Sequence, residues 1–342
     1  MTPESADWRP SCPTQMLHVR AEMLRSIRDF FQDRNYLEVE TPCLSRDIVL
    51  DAWVEPFAID VRGTQWFLQT SPEAHMKRLL ATGVDSIFQV SHVFRQHERG
   101  HQHNSEFTMI EWYGVGSIWL EQLEVTESLV RTATAAAARV TGRDVADQWR
   151  PESFQYTTYA AAFQRAFGVD VFDCSGRQLM DVARHFGVPL PADLREDRID
   201  DVLNVMLAFA IEPQLGGTSE GTGIRPEFLC DYPPAQAALA VVSETVPRVA
   251  RRFELYVQGL ELCNGYQELT DELELRRRDA VQNQRRNGEK SPELPGAARL
   301  LAAMQSGLPP CSGVALGFDR LVMVATACPD IREVMPFPED RA

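Results

Sequence analysis

Two blocks far apart in the chain constrain the fold most. The first begins as an alternating run, Phe88-Gln89-Val90-Ser91-His92-Val93-Phe94, with the period of a half-buried strand. It runs into Arg95-Gln96-His97-Glu98 and is followed by His103-Asn104-Ser105-Glu106-Phe107-Thr108-Met109-Ile110-Glu111-Trp112-Tyr113. The second, Gly313-Val314-Ala315-Leu316-Gly317-Phe318-Asp319-Arg320, sets an arginine beside glycines whose missing side chains permit close backbone approach. Elsewhere short strand-like runs alternate with helical ones at irregular intervals, not as regular βαβ units. Hairpin-type strands interleaved in this way predict an α+β fold, a mainly antiparallel sheet flanked by helices.

The first helix is expected from Leu17 to Phe31, where Leu17, Met23, Leu24, Ile27, Phe30 and Phe31 recur at helical spacing, with Thr14 as N-cap behind Pro13. Asn35-Tyr36 ends it, and Leu37 to Pro42 reads as a short strand stopped by proline. Trp66 to Thr70 is strand-like. Ser71-Pro72-Glu73 then opens a helix through Leu80, with Ser71 as cap, Pro72 at the first helical position and Glu73 near the positive helix end. Leu120 to Val140 is a long alanine-rich helix closed by Gly142. Arg150 to about Pro213 is less regular and contains a charged run, Asp193 to Asp201, expected to be helical. Phe253 to Val257 resumes the strand pattern, and Arg276 to Arg286 is a basic helix followed by a polar loop through Pro295.

Composition narrows the function classes. No run approaches the ~18 apolar residues of a membrane span. The polar start through Pro13 lacks the basic and apolar regions of a signal peptide. Seven cysteines, scattered and never spaced C-x-x-C, suit reduced thiols in a cytoplasmic setting. A formal net charge of −15 runs against a nucleic-acid partner, because such partners are held largely through phosphate neutralisation. An acidic chain can still carry a local basic patch.

The first block resembles motif 2 of class II aminoacyl-tRNA synthetases, the strand-loop-strand hairpin that holds ATP, and the second resembles motif 3, its partner. The helix-strand-proline run ending at Pro42 is similar to motif 1, which forms the dimer interface in that family. The resemblance implies a class II synthetase-like catalytic core over residues 14–342, behind an N-terminal extension over 1–13. It also implies a reaction in which a carboxylate attacks the α-phosphate of ATP, leaving an acyl-adenylate and pyrophosphate. Arg95 and Arg320 would be the catalytic cations, since a planar guanidinium makes paired bonds to phosphate oxygens. Gln96, His97, Asn104, Phe107, Glu261, Leu262 and Gly317 would complete the ATP site, with Phe107 stacked on adenine. The run Glu261 to Glu268 resembles the strand that faces the substrate and holds Mg²⁺, here through Glu261 and Glu268. Magnesium favours a few carboxylates together with phosphate oxygens and water.

Ser71-Pro72-Glu73 is the motif of the lysine-type enzymes of this family. With Glu111, Tyr113, Asn264, Glu268 and Ala315 it implies a pocket for a diamino acid, because each buried ammonium needs a partner charge. Lysyl-tRNA synthetases carry an anticodon-reading β-barrel before motif 1. Here motif 1 begins near residue 14, so a core without that module, and without tRNA, is expected. Such a core is similar to the ligases that pass (R)-β-lysine to a lysine side-chain amine of elongation factor P. Ser71 to Leu80 and the closing Asp340-Arg341-Ala342 carry that likeness, and Ala315 falls where those ligases have a small alanine.

Several alternatives stand beside this reading. The preferred substrate is either (R)-β-lysine or lysine. The chain could instead be a truncated lysyl-tRNA-synthetase-like or amide-forming synthetase, or a non-catalytic paralogue with weakened ATP binding. One departure bears on the last. The family's motif 2 reads Phe-Arg-Asn-Glu, the Glu contacting adenine, whereas His97 stands there in this chain and Glu98 follows it. Either His97 takes over the contact through a neutral ring nitrogen, or the loop shifts to present Glu98. His97, His101 and His103 also invite a zinc reading, but an ATP loop rich in donors explains them more simply.

Overall fold

The computed structural model describes residues 8–149, 153–217, 224–245, 248–288 and 291–342. Helix α1 (Thr14–Gln32) leads to strands β1 (Leu37–Glu38), β2 (Leu44–Ser45), β3 (Ala58–Val61) and β4 (Thr64–Leu68). Helix α2 (Glu73–Leu80) precedes the long hairpin of β5 (Ile87–Phe94) and β6 (Glu106–Val115), which helix α3 (Trp119–Thr141) follows. Next come β7 (Gln155–Thr158), α4 (Tyr159–Phe167), α5 (Gly176–His185), α6 (Ile199–Met206), β8 (Glu227–Tyr232), β9 (Ala250–Val257) and β10 (Leu260–Gln267). Helices α7 (Glu272–Gly288) and α8 (Ala298–Gly307), strand β11 (Cys311–Gly317) and helix α9 (Phe318–Thr326) come last.

The main sheet has eight strands in the order β1-β5-β6-β11-β10-β9-β8-β7. Every junction is antiparallel except the two outermost, β1–β5 and β7–β8. This is the α+β, mainly antiparallel architecture expected from the sequence. Period-two alternation gives the sheet two unlike faces. Ile110 and Trp112 of β6, Phe253, Leu255 and Val257 of β9, and Val314 and Leu316 of β11 turn to one face. There they form the principal core with Met16, Val19, Met23, Ile27, Phe30 and Phe31 of α1 and with α3 and α9. The opposite face carries two smaller cores, one under α4 to α6 and one under α2 and α8. Between them lies a polar cleft.

Several expectations need correction. Thr14 is the first helical residue, not the N-cap. Pro13 holds the cap position in extended conformation, and its carbonyl accepts from Met16 N–H at 2.9 Å. Of the strand expected over Leu37–Pro42 only Leu37–Glu38 is regular, at the sheet's edge, with one further bond from Val39 N–H to Phe88 O at 2.9 Å. Of the charged run Asp193–Asp201, only the stretch from Ile199 is helical. Upstream, Leu194 N–H turns back to Pro191 O and Arg198 N–H to Arg195 O, with Arg195 paired to Asp197. The irregular connection also holds a strand and two further helices, β7, α4 and α5. Thr158 and Ser175 cap the helices, and Gly168 at φ +72° ends the first. Residues 1–7 of the extension, Arg150 and residues 289–290 of the polar loop lie outside the described residues. The end of the extension is tied down, with Ser11 Oγ donating to Met335 O at 2.7 Å.

Candidate active site

The polar cleft, about 570 Å³, is floored by β6, β11, β10 and β9. One end is cationic. Arg95, just past β5, donates from Nε to Thr70 O at 3.3 Å and from Nη1 to Glu98 at 3.3 Å. Its guanidinium lies 5.2 Å from the ring centre of Phe107, which also lines the cleft. Arg320, in the first turn of α9, donates from Nη1 to Glu261 O at 2.9 Å and from Nη2 to His103 Nε2 at 2.6 Å. A guanidinium has only donors, so His103 must accept, as a neutral ring does. Burial and the Arg320 charge lower the His103 pKa, which favours that form. Asp319 fixes the base of this end, accepting from Thr108 N–H at 2.7 Å and pairing with Arg20 of α1 at 2.6 Å.

The loop between β5 and β6 places the sequence-predicted ATP residues unequally. Asn104 is buried, donates to Glu106 O at 2.6 Å and accepts from Glu339 N–H at 3.0 Å, which anchors the loop to the C-terminal segment. Gln96 and His97 do not line the cleft, contrary to expectation. Gln96 N–H is used by Glu55 O at 2.7 Å, and His97 is exposed with φ +72°. That left-handed residue turns the chain so that Glu98 lines the cleft instead. The three loop histidines are parted. His103 is on Arg320, His101 is on Asp330 at 2.9 Å, and His97 faces solvent.

The other end is acidic and closed. Ser71 Oγ donates to Glu111 Oε2 at 2.7 Å, and Tyr113 OH donates to Glu111 Oε1 at 2.6 Å. Ser71 Oγ also accepts from Glu73 N–H at 3.0 Å, so the same hydroxyl serves the first turn of α2, whose cap position Pro72 holds. Glu73, Glu111 and Glu268 are all buried here. Burial, then Glu73, pushes the Glu111 carboxyl up to about 8. Burial also pushes Glu268 up to about 7, although Lys77 works against it. Lys77 is buried 2.5 Å from both Glu73 and Glu268. Asn264 and Ala315, cross-strand partners, line the cleft between the two ends. Gly313 is required beside Glu268, since a Cβ there would sit 2.4 Å from Glu268 Oε1 and 2.4 Å from the Tyr113 ring. Gly317 has open space instead, since a Cβ there would meet nothing nearer than 3.8 Å.

Glu261 and Glu268 are not brought together as one metal site. Along β10 they are roughly 20 Å apart at ~3.3 Å per residue, and Glu268 is already committed to Lys77. Register slips by one residue between Glu261 and Cys263, which tucks Leu262 and Cys263 into the core and turns Glu261 to the cleft. Its nearby acid is Glu254 of β9. Burial, then Glu254, pushes the Glu261 carboxyl up to about 7, and burial with the same two acids pushes Glu212 to about 7. This surplus negative charge beside Arg320 fits a divalent cation shared with phosphate oxygens. Glu254 itself is held by Arg252 at 2.5 Å and by the hydroxyls of Tyr232 at 2.5 Å and Tyr256 at 2.6 Å.

Sequence reasoning gave no role to Lys77, Glu254 or Arg252, and placed His103 only among the donors of the ATP loop. Two signals pointed to them. Lys77 stands four residues after Glu73 in a helix whose neighbours Ala74, Met76 and Leu80 are apolar. Arg252, Glu254 and Tyr256 alternate with the core residues Phe253, Leu255 and Val257.

Comparisons with known proteins identify the family. The family profile described as tRNA synthetases class II (D, K and N) matches residues 3–341. The chain is 40% identical over 345 aligned positions to an elongation factor P–(R)-β-lysine ligase of Klebsiella pneumoniae (strain 342), covering 99% of each chain. It is 39% identical, at 99% coverage of each, to the proteins of that name from Edwardsiella ictaluri and Salmonella dublin.

Proposed function

The chain belongs to the class II tRNA synthetases (D, K and N), and on that premise we propose that it is an ATP-dependent ligase for elongation factor P. It activates (R)-β-lysine, or lysine, as an aminoacyl-adenylate and passes the acyl group to a lysine side-chain amine of that factor. The observation that carries this reading is a single cleft with two arginines at one end and three buried carboxylates at the other. The name borne by the relatives at 38–40% identity supports the acceptor and the amino acid.

In the first half-reaction a substrate carboxylate oxygen attacks the α-phosphorus, and the bond to pyrophosphate breaks. Arg95 is suited to the α-phosphate, and Arg320 to the far end of the triphosphate. Phe107 offers its ring to adenine, and Glu98 is the carboxylate the loop presents to its amino group. The space at Gly317 is for ligand, because the fold itself would tolerate a side chain there. Magnesium, held by Glu261 with Glu254 behind it, would neutralise phosphate charge. Glu73, Glu111 and Glu268 take the substrate's two ammonium groups, and Ser71 and Tyr113 hold Glu111 in place. In the second half-reaction the acceptor amine attacks the acyl carbon, an amide forms, and AMP leaves with the electron pair of the broken bond.

Two copies would pair through α1 and the edge strand β1, where Leu17 and Leu37 are exposed. No described helix is long and apolar enough to cross a membrane, and action on a translation factor would place the enzyme in the cytoplasm. ATP–pyrophosphate exchange without acceptor tests the reading. Exchange with (R)-β-lysine, followed by the matching mass gain on elongation factor P, is expected. Absence of exchange with every diamino acid would overturn it.

A further inference from the structure

Among the described residues, Lys77 is the one cation set against the carboxylates of the acidic end, and it does not line the cleft. Its side chain is 2% exposed, whereas Glu73 and Glu268, which it touches at 2.5 Å each, both face the cavity. The two carboxylates come from different elements. Glu73 opens α2 one turn before Lys77, and Glu268 directly follows β10. Between them Lys77 Nζ ties the helix to the sheet from behind the pocket wall.

We propose that Lys77 is a positioning residue that holds Glu73 and Glu268 from behind and sets the pocket's charge to match a substrate with two ammonium groups. The balance is simple. Three carboxylates against one resident ammonium leave a surplus of two negative charges, equal and opposite to the two ammonium groups of a diamino acid. Without Lys77, three carboxylates would share one dry pocket, and like charges at such distances cannot all stay ionised. The protons that Glu111 and Glu268 already take up at low pH would then be held to higher pH, where substrate must displace them.

The groups facing Lys77 from the surrounding elements favour this role. They are Glu73 of α2, Glu268 after β10, Glu111 and Tyr113 of β6, and Cys311 of β11. The Tyr113 ring centre lies 5.9 Å from Nζ, and Tyr113 gives its hydroxyl to Glu111. Burial works against a charged Lys77, yet Glu268 and Glu73 outweigh it and raise its pKa. The ammonium therefore stays charged wherever the enzyme works.

This inference rests on the diamino-acid reading of the pocket, and one experiment separates the two. The KM for (R)-β-lysine in pyrophosphate exchange is measured from pH 6 to 9 for the wild type, Lys77→Met and Lys77→Arg, with the KM for ATP as control. In Lys77→Met the pH at which substrate affinity is gained should move up by at least one unit. KM at pH 7.5 should rise tenfold or more, while ATP KM changes less than threefold. Lys77→Arg, which keeps the charge, should keep the wild-type midpoint even where its larger head raises KM. A folded Lys77→Met enzyme with the wild-type midpoint and KM overturns the proposal. Should Lys77→Met fail to fold, Lys77→Gln, which keeps a polar head without the charge, takes its place and should show the same upward shift of the midpoint. A folded Lys77→Gln enzyme with the wild-type midpoint, or failure of this variant to fold as well, would mean that Lys77 serves the fold alone and would also overturn the proposal. No exchange by the wild type with any diamino acid would count against the functional reading itself.

Discussion

Gly313→Ala tests the geometry of the acidic end with the smallest change available. The added methyl carbon would lie 2.4 Å from Glu268 Oε1 and 2.4 Å from Tyr113 Cε1, where ordinary contact begins at 3.4 Å. Each neighbour must therefore retreat by about 1 Å, and neither is free to do so. Glu268 is bound to Lys77 at 2.5 Å, and Tyr113 OH to Glu111 at 2.6 Å. Displacing them loosens a buried ion pair and a hydrogen bond to a charged group, the latter alone worth about 1.5–3 kcal/mol. Partial relaxation leaves a loss of about 2–3 kcal/mol in amino-acid binding, or roughly 30- to 150-fold in KM at 1.4 kcal/mol per tenfold. Overpacking should lower stability by about 1–3 kcal/mol as well. The ATP end is remote along β10, so KM for ATP should change by less than about twofold. The assay is pyrophosphate exchange with each substrate varied in turn, beside a urea unfolding curve. A folded Gly313→Ala enzyme whose (R)-β-lysine KM stays within threefold of wild type would refute the placement of the pocket against β11.

Three further outcomes are expected. Glu98→Ala should raise KM for ATP about tenfold, the loss of one charge-assisted bond, and His97→Ala less than about twofold. The reverse order would return the adenine contact to His97. Arg20→Ala leaves the buried Asp319 with only Thr108 N–H, and should cost about 2 kcal/mol, below the ~3–5 of a fully buried pair because Arg20 is partly exposed; unchanged urea unfolding would contradict it. Glu111 and Glu268, raised to about 8 and about 7, hold protons in the empty pocket at pH 6. Ammonium groups need them ionised, so KM for the diamino acid should fall as pH rises from 6 through 8. A flat profile over that range would be inconsistent with the burial of these groups.

How much was legible in the sequence depended on the range of the interaction. The strands Phe88–Phe94 and Phe253–Val257 and the helix closed by Gly142 are local patterns, and all three are present. The two arginines were expected from the resemblance of their blocks to motifs 2 and 3, and the structure brings both to the cleft. Glu98 was not separable from His97, since the backbone turn at φ +72° that chooses between them arises in the folded loop. Lys77 was only half legible, because its spacing from Glu73 is local whereas its partner Glu268 is brought to it only by the sheet. The helix expected over Asp193–Asp201 failed for the opposite reason. Charged residues with good helix propensity are held in turns there by their own local pairs, with no apolar face to draw them into a helix.

Distance along the strand, not facing, parts Glu261 from Glu268, and the register of β10 shows how one strand serves both ends of the site. Counting back by twos from Glu268 reaches Tyr266, Asn264 and then Leu262, so a regular strand would turn Glu261 into the core beside Cys263. The register slip at Leu262 reverses this, burying Leu262 and Cys263 together and returning Glu261 to the cleft. A single inserted residue thus gives β10 a carboxylate at each end of one face. The separation of roughly 20 Å follows from strand rise alone, and it is too long for one metal ion to span. It is comparable to an amino acid joined to an extended nucleotide. Glu261 and Glu268 therefore do different work. The first faces phosphate and cation beside Arg320, and the second faces substrate ammonium against Lys77. Deleting Leu262 would leave a regular ladder with Glu261 beside Cys263 and still opposite Tyr256, so Glu261→Gln is the change that removes the Glu261 contribution while leaving Glu268 in place. KM for ATP should then rise while KM for the amino acid stays near wild type, and equal loss at both ends in a folded Glu261→Gln variant would show that the two carboxylates do not work apart.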